Sequence, residues 1–222
     1  IFISPNGNDQ ATGSNSQPLK TLAKGMNLAL KQSGKDVVIE LLAGTYPIEK
    51  TIVVSAANYQ LKSLSIRAKK GSKVLITGSK AYQLKWTAFR DNILSARLDL
   101  AERPDQIFIN DHLLQMARYP NYDSTARVFN GTAADALSDD RISKWNNPTG
   151  GYIHALHQGE WCGFHYLITG KDAKGKLKSD GGWQNNRPSK MHPQHRYAEH
   201  IFEELDAPGE WFYDEKSKII YL

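Results

Sequence analysis

Six of the seven histidines fall between His154 and His200, the densest concentration of chemically versatile side chains in the chain. His154 and His157 lie three residues apart, and a neighbouring strand could return His165 beside them. Three imidazoles would hold a zinc ion and leave a fourth position open. That spacing, however, sends His154 and His157 to opposite faces of a regular strand, and no HExxH helix accompanies them. No metal site and no cofactor are therefore expected, and packed or hydrogen-bonded imidazoles are the plainer reading. A third use is contact with a sugar, for which Arg118, His154, His157, Glu160, Trp161 and His165 are the candidate residues, with Tyr152, Tyr166 and Trp183 as further aromatic surface. Against it stands the reading that Trp161, Phe164 and Trp211 fill a small barrel core, which their composition favours.

Glycosidic bond hydrolysis needs two carboxyl groups facing one bond, roughly 5 to 5.5 Å apart for retention and about 6.5 to 9.5 Å for inversion. Glu160, Glu199, Glu203, Glu204, Asp206 and Glu210 are available, but the adjacent Glu203 and Glu204 would point to opposite faces of a strand. No catalytic pair is named from sequence. Asn6-Gly7-Asn8-Asp9 lacks the spaced ligands of a calcium loop and reads as Asx-turn chemistry.

The bulk numbers narrow the classes. A chain of 222 residues that is 40% hydrophobic, with ten Tyr, five Trp and seven Phe, is long and apolar enough for a real core. No apolar run approaches a membrane span. The net charge of +5 is spread over loops, as at Lys69, Lys70 and Lys73 or Lys171, Lys174, Lys176 and Lys178, so no nucleic-acid partner is expected. Cys162 stands alone, which excludes an intramolecular disulfide and a thiolate metal cluster. The chain opens on strand-like IFIS with no basic, apolar leader. Asn130-Gly131-Thr132 fits a glycosylation sequon, a triplet common by chance.

Which elements could position these residues? The stretch 5–18 is turn chemistry, Pro18 suits a first helical residue, and Leu22, Met26, Ala29 and Leu30 make one apolar stripe that stops at Gly34. The period then becomes alternating at 37–42, 52–56, 64–68 and 74–78, with no further helix between these strands, which excludes a doubly wound sheet. Periodicity does not choose among sandwich, barrel and parallel β-helix, but an amphipathic helix before the first coil suits a β-helix that needs its end covered. Beyond Asp99, the stretches 106–110, 112–120, 151–157, 161–169 and 200–205 read as strands, and 121–150 as a long loop with a helical turn around Asp135 to Trp145. GEWFYDEKSKIIYL, 209–222, reads as a hairpin whose last strand offers an apolar, unpaired edge.

SPNGNDQATGSNSQPLKTLAKGMNLAL followed by VVIELLAGTY resembles the start of right-handed parallel β-helix (pectate-lyase-like) proteins acting on polysaccharides: a strand, a Gly/Asn-rich loop, a capping helix and a first coil ending in Gly44-Thr45-Tyr46. ARYPN at 117–121, GYIHALHQGEWCGFHYLITG at 151–170 and FEELDAPGEWFYDEKSKIIYL at 202–222 resemble the β module that interrupts the early coils in a bacterial subgroup similar to glycoside hydrolase family 141. The resemblance implies a mainly β fold: cap helix and first coils over 1–100, an inserted antiparallel, barrel-like module over 101–208, and over 209–222 a hairpin returning the chain to further coils that would follow. It further implies a secreted or periplasmic glycoside hydrolase acting on polysaccharide or oligosaccharide, with its paired carboxylates mostly downstream. The alternatives are a polysaccharide lyase of the same fold and a non-catalytic glycan-binding module. Self-association through the open end is the expectation from edge-strand logic.

Overall fold

The computed structural model describes residues 1–184 and 187–222. The protein is mainly β with few helices, in two compact units, Ile1–Tyr82 and Gln83–Leu222. The first unit contains β1 (Phe2–Ile3), α1 (Leu22–Ala29), β2 (Asp36–Leu41), β3 (Gly44–Pro47), β4 (Ser63–Ala68) and β5 (Val74–Thr77). In the second, β6 (Thr87–Arg90) and β7 (Ile93–Arg97) are followed by the short strands β8 (Phe108–Ile109), β9 (His112–Leu113), β10 (Gln115–Met116) and β11 (Arg118–Tyr119). Then come α2 (Asp139–Lys144), β12 (Tyr152–His157), β13 (Gly163–Lys171), β14 (Leu177–Gly181), β15 (Trp183–Gln184), β16 (Arg187–Pro188), β17 (Met191–Glu199), β18 (Glu210–Asp214) and β19 (Ile219–Tyr221).

In the first unit all strand pairs are parallel: β1 on β2, β2 on β4, β3 on β5. Asp36 stands opposite Ser63 and Leu41 opposite Ala68, so one register holds along the whole β2–β4 ladder. Outward-facing partners meet as side-chain pairs, Ser63 Oγ donating to Asp36 at 2.6 Å and Arg67 to Glu40 at 2.7 Å. The inward stripe Val37, Ile39 and Leu41 is buried against Leu22, Met26 and Ala29 of α1, whereas its neighbour Ile66 is 44% exposed. Tyr46 of the Gly-Thr-Tyr stretch is buried, its hydroxyl 2.9 and 2.7 Å from the carbonyl oxygens of Ile3 and Leu42.

Two expectations for this unit are corrected. Helix α1 starts at Leu22 and not at Pro18, because Asp9 accepts from the backbone N–H groups of Lys20 and Thr21 and from the Thr21 hydroxyl, which frees Thr21 to cap Lys24. That also assigns the Asn/Asp loop its work, Asx turns and a helix start. No strand forms over 52–56; Val53 and Val54 are exposed there, and the strand after β2 is Gly44–Pro47.

The second unit carries two five-stranded sheets. One is mixed, in the order β10-β18-β19-β7-β6, over a core of Ala96, Leu98, Trp211, Tyr213 and Ile220. The terminal strand β19 is therefore not an edge: it pairs with β18 on one side and β7 on the other, so the hairpin edge expected from sequence is covered within the chain. The other sheet is antiparallel throughout, β11-β17-β12-β13-β14. Its inner face, Ile153, Ala155, Tyr166, Ile168 and Ala198, packs on Ile142 of α2 and on Trp145. Residues 202–204 form a 3-10 turn where a strand was expected: His200 adopts φ +56 and ends β17, while Glu203 and Glu204 turn to accept from Asn146 and from Arg141 and Trp145.

Candidate functional site

Over its central rungs the antiparallel sheet alternates, so a side chain there that is not on its inner face lies on the other. Tyr197 of β17, His154 of β12 and His165 of β13 stand side by side in one row across three strands. Next to them a second row holds Arg118, Glu199, Tyr152 and Leu167. An apolar inner face thus forces this outer face to carry the polar side chains.

His154 is the hinge of the row. Its Nε2 lies 2.7 Å from Glu199 Oε1, and its Nδ1 is hydrogen-bonded to Nδ1 of His165. The Tyr197 ring stacks on it at 4.5 Å, and the Arg118 guanidinium lies 3.9 Å over the other side of Tyr197. His154 is buried; His165 is exposed. Burial would raise the Glu199 carboxyl, but the hydrogen bond and charge of His154, with Arg118 and His200, hold it below the ordinary range. Burial and the neighbouring His154 hold His165 below the ordinary imidazole value. Burial pushes the Tyr197 hydroxyl up, so it remains a neutral ring between the Arg118 guanidinium and the His154 imidazole.

Glu199, as carboxylate, accepts from Nε2–H of His154, and in the Nδ1–Nδ1 contact one of the two imidazoles donates and the other accepts. The Nε2 of His165 lies at the other end of this row, on the exposed ring.

The other candidates separate from this row. Arg118 is buried, and its guanidinium donates to the carbonyls of Pro120, Phe129 and Gly131 at 2.9, 3.2 and 2.7 Å. His157 lies beyond a register shift in β12, packs on Trp161 at 4.5 Å between centroids and accepts from the Gly159 N–H. The three-imidazole group is therefore not assembled. Trp161, for which a core place was favoured, is 56% exposed; Trp211 is fully buried and Phe164 packs at the rim of the inner core. Trp183 is 59% exposed, its indole N–H donating to Asp180.

Glu160 joins His192 and His195, two imidazoles stacked at 4.5 Å. His192 Nδ1 accepts the backbone N–H groups of Gln194 and His195, so its own proton sits on Nε2, 3.2 Å from Glu160. A cation would need that same nitrogen's lone pair; the donor set suits a hydrogen-bonded cluster and not a metal. Sequence reasoning missed Tyr197, His192 and His195 and left Glu199 among unassigned carboxylates. The available signal was the alternation in HRYAE at 195–199, which sets His195, Tyr197 and Glu199 on one face opposite Ala198.

Among solved structures, a chain described as "Glycoside hydrolase" superposes with a TM-score of 0.68 at 19% identity, over 100% of this chain and 42% of that one. This chain thus spans less than half the length of the structure it matches. The likeness establishes a shared fold. A second chain, described as "The complex structure of XylC with xylose", covers 99% of this chain and 31% of its own length at 14% identity and a TM-score of 0.33, too low to carry an argument. No protein-family model matches, and no curated protein does.

Proposed function

We propose that this chain is part of a secreted or periplasmic polysaccharide-degrading glycoside hydrolase. The observation that carries the reading is the superposition of its whole length on part of a solved glycoside hydrolase at a TM-score of 0.68. In this reading the parallel ladders β2–β4 and β3–β5 begin a right-handed parallel β-helix capped by α1, supported by the constant register between them and by the exposed Ile66, Leu75 and Ile76 that a next coil would cover. The partner is a polysaccharide or oligosaccharide, and the carboxylate pair lies mostly in the part of such an enzyme that this chain does not span. Among the described residues no helix is long and apolar enough to cross a membrane.

The test is incubation of the native protein with a panel of neutral and acidic polysaccharides, reading new reducing ends and product structure. Saturated products are expected; absence of cleavage across the panel would remove the hydrolase reading. An unsaturated, calcium-dependent product would instead mark a lyase. A glycan-binding role without turnover is favoured by one observation, the exposed indoles of Trp161 and Trp183. Saturable binding lost in Trp161→Ala or Trp183→Ala, without product, would establish that role.

A further inference from the structure

The row on the outer face of the antiparallel sheet has a direction. It starts at a half-buried carboxylate, passes through a buried imidazole and ends on an exposed one. Relay along it requires Nε2–H on His154 and Nδ1–H on His165, the arrangement that leaves the His165 Nε2 lone pair at the surface end. Tyr197 and Arg118 clamp the middle ring from one side, and Arg118 is itself anchored to three carbonyls, so His154 cannot easily turn away from either partner. The charged and titratable groups around the row are Glu199, Arg118 and Tyr197 on the flanking strands, Tyr152 beside Glu199, and His200 next to it in sequence.

We propose that Glu199, His154 and His165 form a proton relay whose outlet, His165 Nε2, is a general base toward an O–H group, water or sugar hydroxyl, of a carbohydrate held against this face. The proposal rests on the carbohydrate-active reading above. The proton balance is complete within the chain. His165 Nε2 takes the proton of the O–H group, the Nδ1 proton of His165 passes to Nδ1 of His154, and the positive charge comes to rest on His154 against the Glu199 carboxylate. The oxygen keeps the electron pair of the broken O–H bond. His165 is the catalytic residue; His154 and Glu199 are positioning residues that act through it.

Two measurements test this, and they fail separately. Long-range nitrogen–proton NMR on the protein without ligand reads the tautomers directly. The expected result at neutral pH is Nε2–H on His154 and Nδ1–H on His165, with His165 losing that preference in Glu199→Gln. Finding His165 as the Nε2–H tautomer overturns the relay even if the protein cleaves polysaccharide. On whichever polysaccharide of the panel is cleaved, His165→Gln is expected to lower kcat by about 10²- to 10⁴-fold with KM unchanged. Glu199→Gln is expected to move the acidic limb of the pH profile, an effect a purely structural role would not produce. A His165→Gln variant with wild-type kcat overturns the base. If no polysaccharide is cleaved, the hydrolase reading falls and the relay stands or falls on the nitrogen shifts alone.

Discussion

The two sides of the antiparallel sheet contain the same ingredients, a carboxylate withdrawn from solvent and a ring N–H, and deploy them differently. On the core side Glu204 receives Trp145 Nε1 at 2.6 Å and Arg141 at 2.8 and 2.9 Å, and every partner is buried or nearly so. On the outer side Glu199 receives His154, and the hydrogen bonding continues to a ring in contact with solvent. A polar cluster closed on itself holds elements in register, here the 202–204 turn against α2; one that opens at its far end can exchange protons. Burial alone does not separate the two. The topology of the hydrogen bonds does.

The largest expected effect lies on the closed side. Glu204→Ala leaves Arg141 and the Trp145 indole without their acceptor and should cost about 3–5 kcal/mol, read as a lower urea midpoint at unchanged slope. A loss below about 1 kcal/mol would mean that the core cluster is no more structural than the relay.

The next effect is a pH dependence hidden by cancellation. Burial pushes Glu210 up to about 7 from 4.5, although the N–H groups of Asp206, Ala207 and Arg118 oppose it. With its folded value raised, its stabilising term is complete below about pH 4.5 and lost as pH rises through 7. His200 is held at about 4 from 6.5, first by burial and then by Arg103, which donates to its Nδ1 at 2.8 Å. Its term is complete above 6.5 and lost as pH falls through 4. Each is worth about 3 kcal/mol at its limit. The slopes oppose one another, so wild-type stability should be nearly flat between pH 4.5 and 6.5. Urea melts across that window should show Glu210→Gln gaining stability with rising pH and His200→Asn losing it, asparagine being chosen to suit the φ of +56. Parallel profiles for all three proteins would show that neither group titrates as described.

The smallest effects sharpen the comparison at the open end. His154→Ala strands Glu199 and should cost about 1–3 kcal/mol. His165→Ala, on an exposed ring, should stay within about 0.5 kcal/mol. Equal costs at the two positions would mean that the row is a closed cluster like that of Glu204.

How much of this was legible in the sequence follows from the range of each cause. Alternation is local, so β12 and β13 could be read from Ile153 and Ala155 against His154, or Tyr166 and Ile168 against His165, whereas β17 went unread and a strand was expected just after it instead. The helix stripe and the helical turn near Asp139 were equally local. Side-chain capping from a distance was not: Asp9 sets the start of α1 from twelve residues before Thr21. Nor was long-range pairing, since β19 finds β7 across most of the second unit. The site divides the same way. The clustering of histidines was visible, but a three-residue spacing argued only that His154 and His157 part company, and nothing in the linear order couples His154 to Glu199, forty-five residues on.

The matched rungs of the first unit have a consequence for heritable variation. Along β2 and β4 each residue has one partner, and several are of suited chemistry, Asp36 with Ser63, Ile39 with Ile66, Glu40 with Arg67. Inserting a single residue inside 63–68 would exchange the two faces, setting Arg67 among apolar neighbours and Ile66 beside Glu40. The connecting stretch 49–60 is exposed except at Ile52 and carries no strand, so a change of length there is absorbed. Across distant descendants, gaps should therefore gather between Pro47 and Ser63 and be purged from the rungs, which makes the ladder a ruler for aligning chains too divergent to be matched letter by letter.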